Sequence, residues 1–165
     1  MELKGEFDPQ DWQRIVAMPM LVGMAVTAAD PGGLWGAVKE STAMTSTLLR
    51  SDGDGNALVE AVVKGFSEPE TRGAVTGILR DEVKGKQPAQ IVDALLAEVE
   101  RLSILVGSKA PDVAPGFRAW LMDLATKVAE AGTEGGFLGF GGVKVSDKEA
   151  ATLERLRGAL SGSQA

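Results

Sequence analysis

The clearest structural signal in the chain is the stretch "PAQIVDALLAEVERLSILV", residues 88–106. Its large apolar residues recur at spacings of four and three, which places them along one face of an α-helix, while the charged residues lie mostly off that face. This stripe consists of Ile91, Leu95, Val99, Leu102 and Val106. The pattern predicts an amphipathic helix at the centre of the fold, with Leu95 and Val99 buried.

The segment that follows the polar start of the chain has a similar pattern. Asp8 before Pro9 is a favourable helix start, because Asp accepts backbone N–H bonds and Pro tolerates the first helical position. Apolar residues then recur at helical spacing, and Pro19 within them is expected to kink the helix. The uncharged run 15–29 has 15 residues, whereas a membrane span needs roughly 20. We interpret it as a buried helix.

Further helices are predicted along the rest of the chain, and no stretch has convincing strand alternation. The spacing of apolar and capping residues places them at about 34–49, 57–66, from the capping box Ser67–Glu70 onward, 117–131, and from Ser146 onward. Residues 107–116, with two prolines, are interpreted as a linker but not as a domain boundary.

These segments together predict an all-α fold. We expect residues 1–165 to form one domain, a bundle or array of six to seven helices joined by glycine-rich corners. Residues 1–7 and 161–165 are expected to be loosely ordered ends.

The amino-acid composition excludes or disfavours several classes of function. The chain has no cysteine and no histidine, so thiolate chemistry is excluded and the commonest general base and zinc ligand are missing. A net charge of −6 without a basic cluster disfavours nucleic acids and anionic membranes. Several acidic residues before the first apolar run argue against a signal peptide. We expect a cytoplasmic, non-enzymatic protein that needs no cofactor.

The stretch "EGGFLGFGGVKVSDKE", residues 134–149, holds five glycines within eight residues. It lacks the strand context and the Gly-Lys-Ser/Thr ending of a phosphate-binding loop. We interpret it as a corner in which Gly135 or Gly136 adopts positive φ, Phe137 or Phe140 folds back onto the helices, and Ser146–Glu149 caps the next helix. The alternative is a partner-binding surface that includes Trp35, Phe137 and Phe140, because aromatic residues on loops can anchor binding.

A second glycine stretch is similar to the first. In "VTAADPGGLWGAVKE", residues 26–40, a helix end is followed by Gly-Gly, two large apolar residues, Gly and Val-Lys, as it is from Val128 onward. We interpret this as a weak internal repeat of a helix–loop–helix unit.

The two units resemble TerB-like domains of bacterial tellurite-resistance and stress systems, over two short stretches of the chain. The resemblance implies a compact helical domain, with Asp30 and Glu40 as the matching acidic positions in the first unit and Glu134 and Glu149 in the second. Pro31 and the additional "FGGVKV" depart from that pattern. The chain also resembles bacterial all-helical proteins with "GFLGFGG" near the C-terminus, which implies no activity.

A third motif, "SDGDGNALVE" from Ser51, resembles the opening of a calcium-binding EF-hand loop. Ala57 occupies the position of the sharp-turn glycine and Val63 that of the closing glutamate, so we interpret it as an acidic turn before a helix.

Two functional hypotheses remain. The first is a non-enzymatic interaction or stress-associated module that binds a protein partner or forms a homo-oligomer. The second is a carboxylate site for Ca²⁺ or Mg²⁺, for which Asp30 and Glu40 are the best pair. Helix capping and exposed surface charge are the simpler explanation of these two acids.

Overall fold

The computed structural model describes residues 2–29, 55–134 and 147–162, and for residues 131–134 it describes the backbone alone. Within these ranges the chain forms a 3₁₀ turn, Leu3–Glu6, and six α-helices, and it contains no strand. The helices are α1 Pro9–Ala29, α2 Ala57–Ser67, α3 Pro69–Val83, α4 Pro88–Lys109, α5 Ala114–Glu134 and α6 Asp147–Leu160. The predicted all-α bundle is therefore confirmed.

Helix α1 begins as the sequence predicts. An Asp8 carboxylate oxygen accepts hydrogen bonds from the backbone N–H groups of Gln10 at 3.0 Å and Asp11 at 2.9 Å. Pro9 takes the first helical position, where no backbone donor is needed. Pro19 lies inside the helix, which continues beyond it to Ala29.

Helix α1 is the helix around which the others pack, since it contacts each of the other five. Its buried side chains include Ile15, Met18, Leu21 and Val22, all fully excluded from solvent. Among the described residues, this is the one helix with the length and composition of a membrane span. Within its most apolar window, 61% of the residues are buried inside the fold, as in the core helix of a globular protein.

Helix α4 confirms the predicted burial of its apolar stripe, although α1 and not α4 is the helix that contacts all the others. Leu95, Val99, Leu102 and Val106 are fully buried, and Ile91 is half-buried. The helix starts at Pro88, where the Gln87 backbone N–H donates to the Gln90 side chain at 2.9 Å. The stripe therefore faces the core along the predicted side of the helix.

The predicted capping box Ser67–Glu70 is wrong. Ser67 is the last residue of α2, and its hydroxyl donates to the Val63 carbonyl at 3.1 Å instead of capping α3. The break falls one residue later, at Glu68, whose backbone is extended with φ −78° and ψ 128°. Because a residue before proline is disfavoured in the helical region, Pro69 sets the boundary more strongly than the serine does.

The predicted linker 107–116 is also much shorter in the structure. Helix α4 continues to Lys109 and α5 begins at Ala114, which leaves four residues, 110–113, for the turn. Pro111 lies in that turn, and Pro115 lies in the first turn of α5, where a missing N–H costs no helical hydrogen bond. The two prolines therefore mark a tight turn between two long helices.

The start of the chain is better anchored than expected from its sequence. Phe7, which follows the 3₁₀ turn, is 7% exposed, and its ring lies 6.2 Å from that of Trp12. At the other end, Gly162 adopts φ +62° and its N–H donates to the Ala159 carbonyl at 3.2 Å, which terminates α6. Leu156 and Leu160 of α6 face inward as predicted, while Leu153 is half-buried.

The helix predicted at 34–49 lies outside the described residues. So does the corner formed by Gly135 and Gly136, with its predicted burial of Phe137 or Phe140 and its serine cap at position 146.

Candidate functional site

The directions of the helices follow from the pairs of residues that meet between them. Arg101 on α4 contacts Asp11 on α1 at 3.2 Å, and Arg14, one turn later on α1, contacts Glu98, one turn earlier on α4, at 3.0 Å. Helices α1 and α4 are therefore antiparallel. The turn 110–113 brings the start of α5 back against the end of α4, where Arg118 contacts Ser103.

Helix α6 runs in the same direction as α4. Asp93, near the start of α4, contacts Arg155 at 2.7 Å, and the Ser103 hydroxyl further along α4 donates to the Leu160 carbonyl at the end of α6. The C-terminal end of α1 and the N-terminal ends of α4 and α6 consequently lie at one end of the bundle. We call this end, which holds Ala29, Pro88 and Asp147, the distal end.

The two glycine-rich segments are attached to the bundle in different ways. Segment 30–54 starts at the distal end, after Ala29, and finishes before Gly55 at the opposite end, whereas segment 135–146 finishes at the distal end, before Asp147. Asp30, Trp35, Glu40, Phe137 and Phe140 themselves lie outside the described residues.

Glu149 is one acidic candidate that the structure describes. It lies in the first turn of α6, at the distal end, and is 7% exposed. A carboxylate this close to a helix N-terminus is favoured by the positive end of the helix dipole. Glu134 is described only as the last backbone position of α5. In the part of the chain that the structure describes, no group of three or more acidic side chains is placed to hold a metal ion.

The most extensive charge cluster lies on the side of the bundle and connects α1 with α3 and α4. Glu98 accepts hydrogen bonds from Arg101 at 3.0 and 3.1 Å and from Arg14 at 3.0 Å, and Arg14 also lies 3.6 Å from Glu82. Burial raises the pKa of Glu98, but hydrogen bonds and charge attraction from Arg101 and then Arg14 together lower that pKa below its ordinary value. These ion pairs connect three helices.

A second polar contact lies inside the bundle, where α4, α5 and α6 meet. The Ser103 side chain is 1% exposed, and its hydroxyl donates to the Leu160 carbonyl. Arg118 on α5 donates from Nε to the Ser103 hydroxyl and from its terminal nitrogen to the Ser103 carbonyl, both at 2.9 Å. A Cβ at Gly107 would lie 2.6 Å from the guanidinium, so glycine makes room for Arg118.

A third contact joins α2 to the turn before α5, at the end opposite the distal end. The Asn56 Oδ1 atom accepts from the N–H groups of Leu58 and Val59 at 3.1 Å and so caps α2. The amide nitrogen of Asn56 donates to the Val113 carbonyl at 3.0 Å. A Cβ at Gly116 would lie 2.5 Å from that nitrogen, so the close approach requires glycine.

Open grooves lie on the surface of the described helices. One of about 470 Å³ runs beside Trp120 between α2 and α5, and one of about 400 Å³ lies between α4 and α6. The first is lined by Gly55, Asn56, Val59, Gly116, Trp120 and Asp123. Asp93 and Arg155, which pair with each other, line the second together with Glu100.

Reasoning from sequence missed Ser103 and Arg118, because nothing in the local pattern links two residues on different helices. It also placed Gly107 and Gly116 in a linker. A signal for the Asn56 contact was present in the sequence. An asparagine immediately before an apolar helical pattern is a preferred N-cap, and Asn56 fills that role.

Comparison of the chain with protein-family models, with curated proteins and with solved structures found no match.

Proposed function

We propose that this chain is a cytoplasmic, non-enzymatic helical module that binds a protein partner at its distal end through Trp35, Phe137 and Phe140. The observation that supports this is that segment 30–54 starts at that end, after Ala29, and segment 135–146 finishes there, before Asp147. The two aromatic-containing segments can therefore contribute to a single contact surface.

The chemistry of the segments suits this role. Large aromatic side chains are frequent anchors of protein interfaces. The described helices direct most of their large apolar side chains inward. Among the described residues, Ile104 is the one large hydrophobic residue that is exposed, at 42%. Partner anchors are therefore better sought in the two glycine-rich segments than on the faces of the described helices.

The test is an affinity capture from the source cell, repeated with the purified captured protein. We expect the wild-type chain to bind and Trp35→Ala, Phe137→Ala or Phe140→Ala to weaken binding with the melting temperature unchanged. Ile104→Ala is the matched control, because it removes an exposed apolar side chain from the helical body. Sedimentation of the purified chain shows whether the partner is a second copy.

A different outcome would assign the aromatics to the fold. If Phe137→Ala and Phe140→Ala lower the melting temperature and leave binding intact, segment 135–146 acts as a structural corner and the proposed interface is wrong.

A second candidate function is a divalent-cation site with Asp30 and Glu40 as ligands, as the resemblance to TerB-like domains implies. The supporting observation is that Asp30 directly follows Ala29 at the distal end, where the buried Glu149 also lies. Carboxylate oxygens are the ligands that Ca²⁺ and Mg²⁺ prefer.

Melting curves in millimolar Ca²⁺ or Mg²⁺ test this second proposal. We expect the cation to raise the melting temperature of the wild-type chain, because binding to the folded state stabilises it. Asp30→Asn or Glu40→Gln should abolish that increase, and Asp112→Asn, in the turn at the opposite end, should retain it. A wild-type melting temperature that does not respond to either cation would exclude the site.

A further inference from the structure

We draw no further inference here: the strongest candidate, the open groove beside Trp120 between α2 and α5, carries nothing, because nothing in the structure shows what covers it.

Discussion

Two of the polar contacts made by helix α4 differ in their exposure to water. Toward α1, Glu98 meets two arginines at the surface, where the Arg101 side chain is 47% exposed. Five residues further along, Ser103 connects α5 and α6 from a position that is 1% exposed. The first contact uses full charges in partly solvated surroundings, and the second uses one hydroxyl in the core with one guanidinium beside it.

The difference in burial should outweigh the difference in charge. Exposed ion pairs gain little, because water screens them and long side chains lose conformational freedom when they pair. A buried polar group that loses its partner pays the full cost of desolvation. The Ser103 contact should therefore stabilise the fold more than the Glu98 cluster does, although the cluster contains more ionic groups.

The largest loss of stability is expected for a mutation in the apolar stripe of α4. Leu95→Ala should destabilise the fold by about 2–5 kcal/mol, because it opens a cavity at a fully buried position. Chemical denaturation measures the change, and Ile104→Ala on the exposed side of the same helix should cost far less. A loss below about 0.5 kcal/mol, which is typical of surface positions, would show that the stripe does not face the core.

The second-largest loss of stability is expected for the buried contact of Ser103. Ser103→Ala removes the donor to the Leu160 carbonyl and the acceptor for Arg118 Nε. We expect a loss of about 1–3 kcal/mol, because buried polar atoms are left without their partner. Ser108→Ala, at an exposed position of the same helix, is the control for removing a hydroxyl. If Ser103→Ala and Ser108→Ala have equal unfolding free energies, the Ser103 contact does not stabilise the fold more than the Glu98 cluster does.

Losing the Asn56 contact should destabilise the fold less than losing the Ser103 contact and more than losing an arginine of the Glu98 cluster. Asn56→Ala removes the cap of α2 and the bond to the Val113 carbonyl, and the loss of a cap alone costs about 1 kcal/mol. Asn56→Asp keeps an acceptor for the cap but loses the amide donor, so the difference between the variants measures the contact with the turn. If the aspartate variant is as unstable as the alanine variant, the donor to Val113 accounts for the whole effect.

The surface cluster should give the smallest effect and the one most sensitive to conditions. Arg101→Ala should cost less than about 1 kcal/mol, and the cost should shrink as salt is added. Arg80→Ala, at an exposed position on α3, is the control. A salt-independent loss as large as that of Ser103→Ala would reverse the comparison.

The same cluster predicts a pH dependence. Because the pKa of Glu98 is lower in the folded chain than its ordinary 4.5, its contribution is fully present above that value and is lost as pH falls through the folded-state pKa. Glu98→Gln should therefore flatten the acid limb of the stability curve, whereas Glu100→Gln on the same helix should change it less. An unchanged acid limb in the Glu98 variant would show that the carboxylate does not contribute in this way.

The sequence by itself determined the helices and their inward faces. The 3.6-residue period of the apolar positions in α1 and α4 identifies both the element and its buried side, because that pattern depends on neighbours within one helix. The Asp8 cap was predictable for the same reason. Where two local signals competed, as at Ser67 and Pro69, the proline set the boundary, because its effect on the preceding residue does not depend on the solvent or on a partner.

Only the tertiary structure decided which residues meet between helices. The buried contact joins residues up to 57 positions apart in sequence, Ser103, Arg118 and Leu160. It depends on how α5 and α6 pack along α4. The end at which segment 30–54 starts and segment 135–146 finishes follows from those same directions. Periodicity gives each helix a face, but not a direction relative to its neighbours, since an apolar stripe packs equally well against a parallel or an antiparallel partner. Specific contacts such as Arg14 with Glu98 and Asp93 with Arg155 reveal the arrangement.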